Sequence, residues 1–199
     1  MESFLNIYFD FSMFKKMGLY KYLQQNWTPE LYRQRLIEWR RGNSVTRVEN
    51  PTRLDRAHAL GYRAKQGYVI VRVKLLRGGR QRPRIKSGRK SKNLRRKLIL
   101  GMNYQWVAEQ RANKKYPNCE VINSYYLAKD GKYYFYEIIL VDRELGKKYP
   151  EIMNLAIQRG RVYRGLTSAA RRSRGLLGKG KGYEKIRPSL AAHRKRGKN

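Results

Sequence analysis

The sequence holds a single cysteine, Cys119, so no internal disulfide can form. Its two histidines, His58 and His193, together with that thiol fall short of the four Cys/His ligands of a usual structural zinc site. The lone thiol suits a reducing interior. Acids are scarce as well, with 14 Asp and Glu among 199 residues. A hydrolase or nuclease needs a carboxylate cluster, a Ser/His/Asp set or metal ligands, and the sequence offers none of these. The closest acidic pair, Asp142 and Glu144, has no histidine near it and reads as a solvated strand end. His58 reads as a surface or partner-facing side chain, and Cys119 as a buried thiol at the start of a strand. No run of 18 apolar residues exists, so no transmembrane helix is expected.

What is abundant is positive charge. There are 47 Lys and Arg, giving a formal net charge of +33. An isolated globule with that charge repels itself, and a polyanionic partner is the physical remedy. Full disorder is excluded by composition, since 41% of residues are hydrophobic and 12% aromatic. The charge is also uneven. Residues 72–97 carry thirteen Lys/Arg and no acid; residues 159–199 carry fourteen and one acid, Glu184. Residues 119–151 are close to neutral, with six acids and five Lys/Arg. One domain with basic extensions fits this length and pattern.

Periodicity predicts a mixed α+β body. Residues 29–41 form a helix capped by Thr28, with Pro29 in the first turn, Gly42 at the end, and Tyr32, Leu36 and Trp39 on one stripe. A short helix is expected over 53–60, capped by Thr52 and closed by Gly61. Residues 68–75 alternate as a strand, with Val69, Val71, Val73 and Leu75 on one face and Arg72 and Lys74 on the other. Residues 77–92 lack an apolar period and form a long basic loop. A helix over 103–115 is capped by Asn103 and stopped by Pro117. Strands 120–128 and 132–141 are joined by Asp130-Gly131, and the second is apolar enough to be central and covered on both faces. Short helices are expected at 150–158 and, capped by Thr167, at 168–173. The fold class is therefore a small, mainly antiparallel sheet with packed helices. The body spans 17–160, and a basic, Gly-rich extension spans 161–199. Residues 1–16 are rich in Phe and begin acidic rather than basic. They read as an extension rather than a signal peptide, or as an artefact of start-site assignment ahead of Met17.

The arginine-rich loop carries the most specific chemistry. Guanidinium groups meet two phosphate oxygens at once and stack on bases. Arg77, Arg80, Arg82, Arg84, Lys86, Arg89 and Lys90 are the candidates there. The glycine-rich stretch 175–182 lacks the Ser or Thr after Lys179 that a phosphate loop requires, so no nucleotide site or other cofactor is expected. Lys179 and Lys181 instead flank backbone that can thread between phosphates. Aromatics interleave with cations around Lys21 and Arg63. Tyr62, Tyr163 and Tyr183 are candidates for stacking on unpaired bases, with core packing the competing reading; core packing is preferred for the Trp residues. Arg53 and Arg56 complete the cationic set. No helix-turn-helix, zinc finger or basic zipper is evident, and long basic arms favour burial in folded RNA. A DNA-compacting protein and an RNA-processing enzyme are the rival readings.

Five blocks in order, MGLYKYLQQNW (17–27), LDRAHALGYRAKQGYVIVRV (54–73), RGGRQRPR (77–84), INSYYLAKDGKYYFYEIILVD (122–142) and RGLTSAARRSRGL (164–176), resemble the archaeal and eukaryotic large-ribosomal-subunit protein fifteen family. The tail GKGKGYEKIRPS (178–189) resembles archaeal members. The resemblance implies a non-enzymatic protein with a mixed α/β body, embedded in large-subunit rRNA beside neighbouring ribosomal proteins in the cytoplasm. It implies no membrane and no small-molecule substrate. By the same resemblance, the RNA-facing residues are Arg63, Lys65, Gln66 and Tyr68, the arginines of 77–90, and Arg164, Arg171, Arg172 and Arg174. His58 stands where family members have Arg or Lys, and Arg143 where they tend to have Pro. Residues 1–16 have no counterpart in the pattern.

Overall fold

The computed structural model describes residues 18–25, 27–79, 88, 100–178 and 180–183. In chain order its elements are α1 (Leu19–Gln25), α2 (Pro29–Arg41), β1 (Val45–Val48), α3 (Leu54–Ala59), β2 (Tyr68–Leu76), α4 (Tyr104–Lys115), β3 (Cys119–Lys129), β4 (Tyr133–Asp142), α5 (Arg143–Gly146), α6 (Met153–Ile157) and α7 (Ser168–Ser173). The four strands form one antiparallel sheet in the order β1-β2-β4-β3. The expected α+β class, with a mainly antiparallel sheet and packed helices, is the observed one. The expectations for 1–16, for most of the basic loop and for the end of the tail lie outside the described residues.

β4 is central because its side chains are apolar on both faces. Phe135, Ile139 and Val141 pack with Trp39, Ala57, Tyr62, Ile70, Leu127 and Ala156 in one core. Tyr136, Ile138 and Leu140 pack with Val71, Val73, Leu75, Ala108, Ala112 and Val162 in the other. Period-two alternation thus feeds two cores rather than one core and one wet face. Three caps sit where the sequence places them. The Thr28 hydroxyl accepts from the Leu31 amide at 3.5 Å, Asn103 Oδ1 from the Trp106 amide at 2.8 Å, and the Thr167 hydroxyl from the Ala170 amide at 3.4 Å.

Other expectations need correction. Thr52 does not cap α3: its hydroxyl and its amide both donate to the Glu137 carboxylate, and the cap position is taken by Arg53 without a side-chain bond. A buried acid on β4 competes successfully for that threonine. Asp142 is not a free strand end. Its Oδ1 accepts from the amides of Glu144 (2.9 Å) and Leu145 (3.3 Å) and so starts α5. The helix expected at 150–158 is shorter, Met153–Ile157. Residues 161–176, assigned above to the extension, pack onto the body. Val162, Thr167, Ala169 and Ala170 are buried, and the Val162 carbonyl accepts from Trp106 Nε1 at 2.8 Å.

Two carboxyl groups, those of Glu137 and Glu109, are completely buried. Glu137 takes hydrogen bonds from Thr52 and the Tyr125 hydroxyl; Glu109 takes them from Ser124 and Thr167. Burial holds both acids above the usual carboxylate range, and these donors oppose that shift. The edge strand β3 is blunted by side chains that occupy its carbonyls. Asn113 donates to Cys119 O (2.7 Å), Arg161 to Val121 O (2.7 Å) and Gln105 to Ser124 O (2.9 Å), while Tyr32 donates to Leu127 O.

Candidate nucleic-acid interface

The basic loop leaves the body at a fixed point. The Tyr104 hydroxyl accepts from the Gly78 amide at 2.8 Å and donates to its carbonyl at 2.6 Å. Just before it, Arg77 donates to the carbonyls of Asp130 (3.0 Å) and Gly131 (3.3 Å) and lies 5.3 Å from the Tyr134 ring centroid. Where the chain returns, Ser173 Oγ donates to Gly101 O at 3.0 Å and accepts from the Asn103 amide at 3.1 Å. Asn103 Nδ2 reaches Ala169 O at 3.0 Å. Both roots of the loop therefore converge on the start of α4, and the second is bonded directly to α7, the helix that carries Arg171 and Arg172.

Both of those arginines are exposed, and neither forms an ion pair among the described residues. Arg174, expected beside them at the RNA, has a different task. Its guanidinium donates to Gly165 O at 3.0 Å, and Gly165, at φ +72°, leaves room for it: a Cβ there would stand 3.0 Å from Arg174 Cδ. Arg164 is exposed and donates to Arg159 O at 3.0 Å. Arg80, Arg82, Arg84, Lys86, Arg89, Lys90 and Lys179 lie outside the described residues. Lys181 is exposed.

A second group lies along α1, α3 and the turn into β2. Rings contact one another in series: Tyr20 with His58 (6.4 Å between centroids), His58 with Tyr62 (5.9 Å), Tyr62 with Tyr68 (5.9 Å) and Tyr68 with Tyr149 (6.2 Å). Lys65 closes the row over Tyr149 at 5.1 Å and pairs with Glu151 at 3.5 Å. Lys21, Arg56, Arg63, Lys65 and Gln66 are exposed around it. The structure constrains four of the residues singled out in the sequence. Tyr62 is 6% exposed, a core residue unavailable for stacking. Tyr68 is only half-buried, but it is wedged between Tyr62 and Tyr149. His58 is not a simple surface side chain: it stacks on Tyr62 and its Nδ1 meets the Tyr20 hydroxyl at 3.2 Å. Arg53 bonds Asp55 at 3.1 Å, which withdraws it from the free cations. Tyr163 and Tyr183 remain open, at 54% and 40% exposure.

Sequence reasoning missed Tyr104 and Tyr149, which anchor the loop root and end the aromatic row. No local signal marks them, because their roles depend on partners 26 and 83 residues away. Among the described residues, no three His, Cys, Asp or Glu side chains gather as metal ligands would.

The sequence pattern of a family described as Ribosomal L15 matches residues 12–193. A protein of Methanocorpusculum labreanum named large ribosomal subunit protein eL15 is 45% identical over 191 residues, covering 91% of this chain and 98% of that protein. One of the same name from Nanoarchaeum equitans is 48% identical over 187 residues, covering 89% of this chain and 98% of that protein. The matched span begins at residue 12, so residues 12–16 share the family pattern that the five blocks alone did not extend to them.

Proposed function

The chain belongs to the Ribosomal L15 family, and on that premise we propose that it is a structural constituent of the large ribosomal subunit that binds folded large-subunit rRNA. Its role is structural rather than enzymatic. Cationic side chains neutralise phosphates where RNA helices converge, which lowers the repulsion that opposes their packing. The surface proposed for this comprises Lys21, Arg56, Arg63, Lys65, Gln66, Arg164, Arg171, Arg172 and Lys181, with the cations of 80–90 and Lys179 extending it. Arg53, Arg174 and Tyr68, all partly buried, and the exposed Arg77 at the loop root support that surface. The proposed partners are rRNA and adjacent large-subunit proteins, and the proposed setting is the cytoplasmic ribosome. The observation that carries this reading is the convergence of both loop roots on α4 beside Arg171 and Arg172 of α7, neither ion-paired among the described residues.

Substitution of Arg63, Arg171 and Arg172 by Gln tests it. Phosphate contacts position without reading sequence. The triple variant should therefore bind all large-subunit rRNA fragments more weakly, and the slope of log K against log salt should fall by about one for each arginine. Its thermal melting should match wild type, because the three side chains are exposed. An unchanged salt slope would remove these residues from the interface.

A further inference from the structure

Between α3, α4, α7 and β3 lies a pocket of about 250 Å³ that the electrostatic account leaves unused. Arg56 and Arg172 line it, with Gln105, Asn123, Ser124 and Tyr126, and no Asp or Glu is among its lining residues. Neither guanidinium is ion-paired among the described residues, although Arg53, three positions from Arg56, is matched to Asp55. Two uncompensated cations from helices about 116 residues apart in sequence thus face one small volume. Such a site favours a compact anion.

The rest of the lining is suited to more than an anion. Gln105 Nε2 is committed to Ser124 O and Oγ, both at 2.9 Å, which fixes that wall. Asn123 Oδ1 accepts from the Ser124 amide at 3.0 Å, which orients its own amide group. Tyr126 is 43% exposed, yet its ring is held by edge contacts to Tyr136 (5.8 Å) and Tyr134 (6.5 Å). A pre-positioned, partly open ring beside cations is a platform for a base. At about 250 Å³ the pocket is smaller than the roughly 300 to 1,000 Å³ of drug-sized ligand sites, so it encloses at most part of one nucleotide and no helix.

We propose that this pocket takes one unpaired nucleotide of RNA, with its phosphate between Arg56 and Arg172 and its base against Tyr126. The proposal rests on the rRNA-binding reading above and adds to it a preference for an unstacked nucleotide. The test uses the full chain and two RNA hairpins that differ only in a single-nucleotide bulge. One stacked base is worth about a 5- to 150-fold gain, so the bulged hairpin should bind at least about 5-fold more tightly. That advantage should vanish in Tyr126→Leu and in Arg56→Gln/Arg172→Gln, and persist in Tyr126→Phe. Equal binding of the two hairpins, or an advantage that survives both sets of changes, overturns the pocket while leaving rRNA binding intact. Tighter binding of adenosine monophosphate than of the bulged hairpin assigns the pocket to free nucleotides and also overturns it. Weak binding of both hairpins that does not respond to salt would instead count against the rRNA-binding reading itself.

Discussion

Raising the salt concentration from 50 to 200 mM should weaken binding to a large-subunit rRNA fragment by about 10³- to 10⁵-fold, the loss expected of six to ten phosphate contacts. The cations for this exist. The chain carries 47 Lys and Arg against 14 acids, and the described residues show only three ion pairs. Two of those three, Arg40–Asp130 and Lys65–Glu151, involve partly exposed side chains and contribute little. Most of the positive charge is therefore uncompensated within the protein, and each phosphate neutralised releases a counterion. Equilibrium titration at four salt concentrations measures the slope. A nearly flat dependence would mean that base contacts or shape, rather than charge, hold the complex.

Phe135→Ala should destabilise the body by about 3–5 kcal/mol, the usual result of emptying a large aromatic site. Phe135 is fully buried on the central strand, and its ring lies 5.6 Å from that of Trp39 and 6.4 Å from Tyr133. β2 and β3 flank β4, so relaxation to fill the space would disturb both ladders. For a chain of this size each kcal/mol lowers the melting temperature by about 2–4 °C, which gives a fall of about 6–20 °C. A domain's total stability is only about 5–15 kcal/mol, so the variant also becomes sensitive to mild denaturant. Calorimetry without RNA is the measurement. A melting temperature within about 2 °C of wild type would show that the strand is not the centre of the core.

Much of the body was legible because its signals are local. Proline at the start of α2, asparagine and threonine caps, the Asp130-Gly131 turn and the apolar run of β4 each act over a few residues. What was not legible depends on distant partners. Thr52 has the right residue type for a cap, but Glu137, 85 positions away, takes its donors. Arg174 sits among free arginines in sequence and clamps Gly165 in space. The arithmetic of the basic run 72–97 also changes. Arg72 lies 4.6 Å over Trp39, where burial lowers its pKa. Lys74 donates to the carbonyls of Arg40 (2.8 Å) and Gly42 (2.7 Å). The first cations of that run thus stabilise the body, and Arg77 anchors the loop. Counting charge marked the basic segments but did not say which cations face outward.

The central claim is that this surface lies against large-subunit rRNA in the assembled particle. Ultraviolet crosslinking of intact large subunits from the source cells, followed by mass spectrometry of the linked peptides, tests it most directly. The account predicts RNA crosslinks in peptides containing Arg63–Gln66, Arg171–Arg172 and Tyr126, and none from the β4 segment Phe135–Val141. Absence of the protein from large subunits isolated at low salt, or crosslinks that avoid those cationic segments, would contradict it.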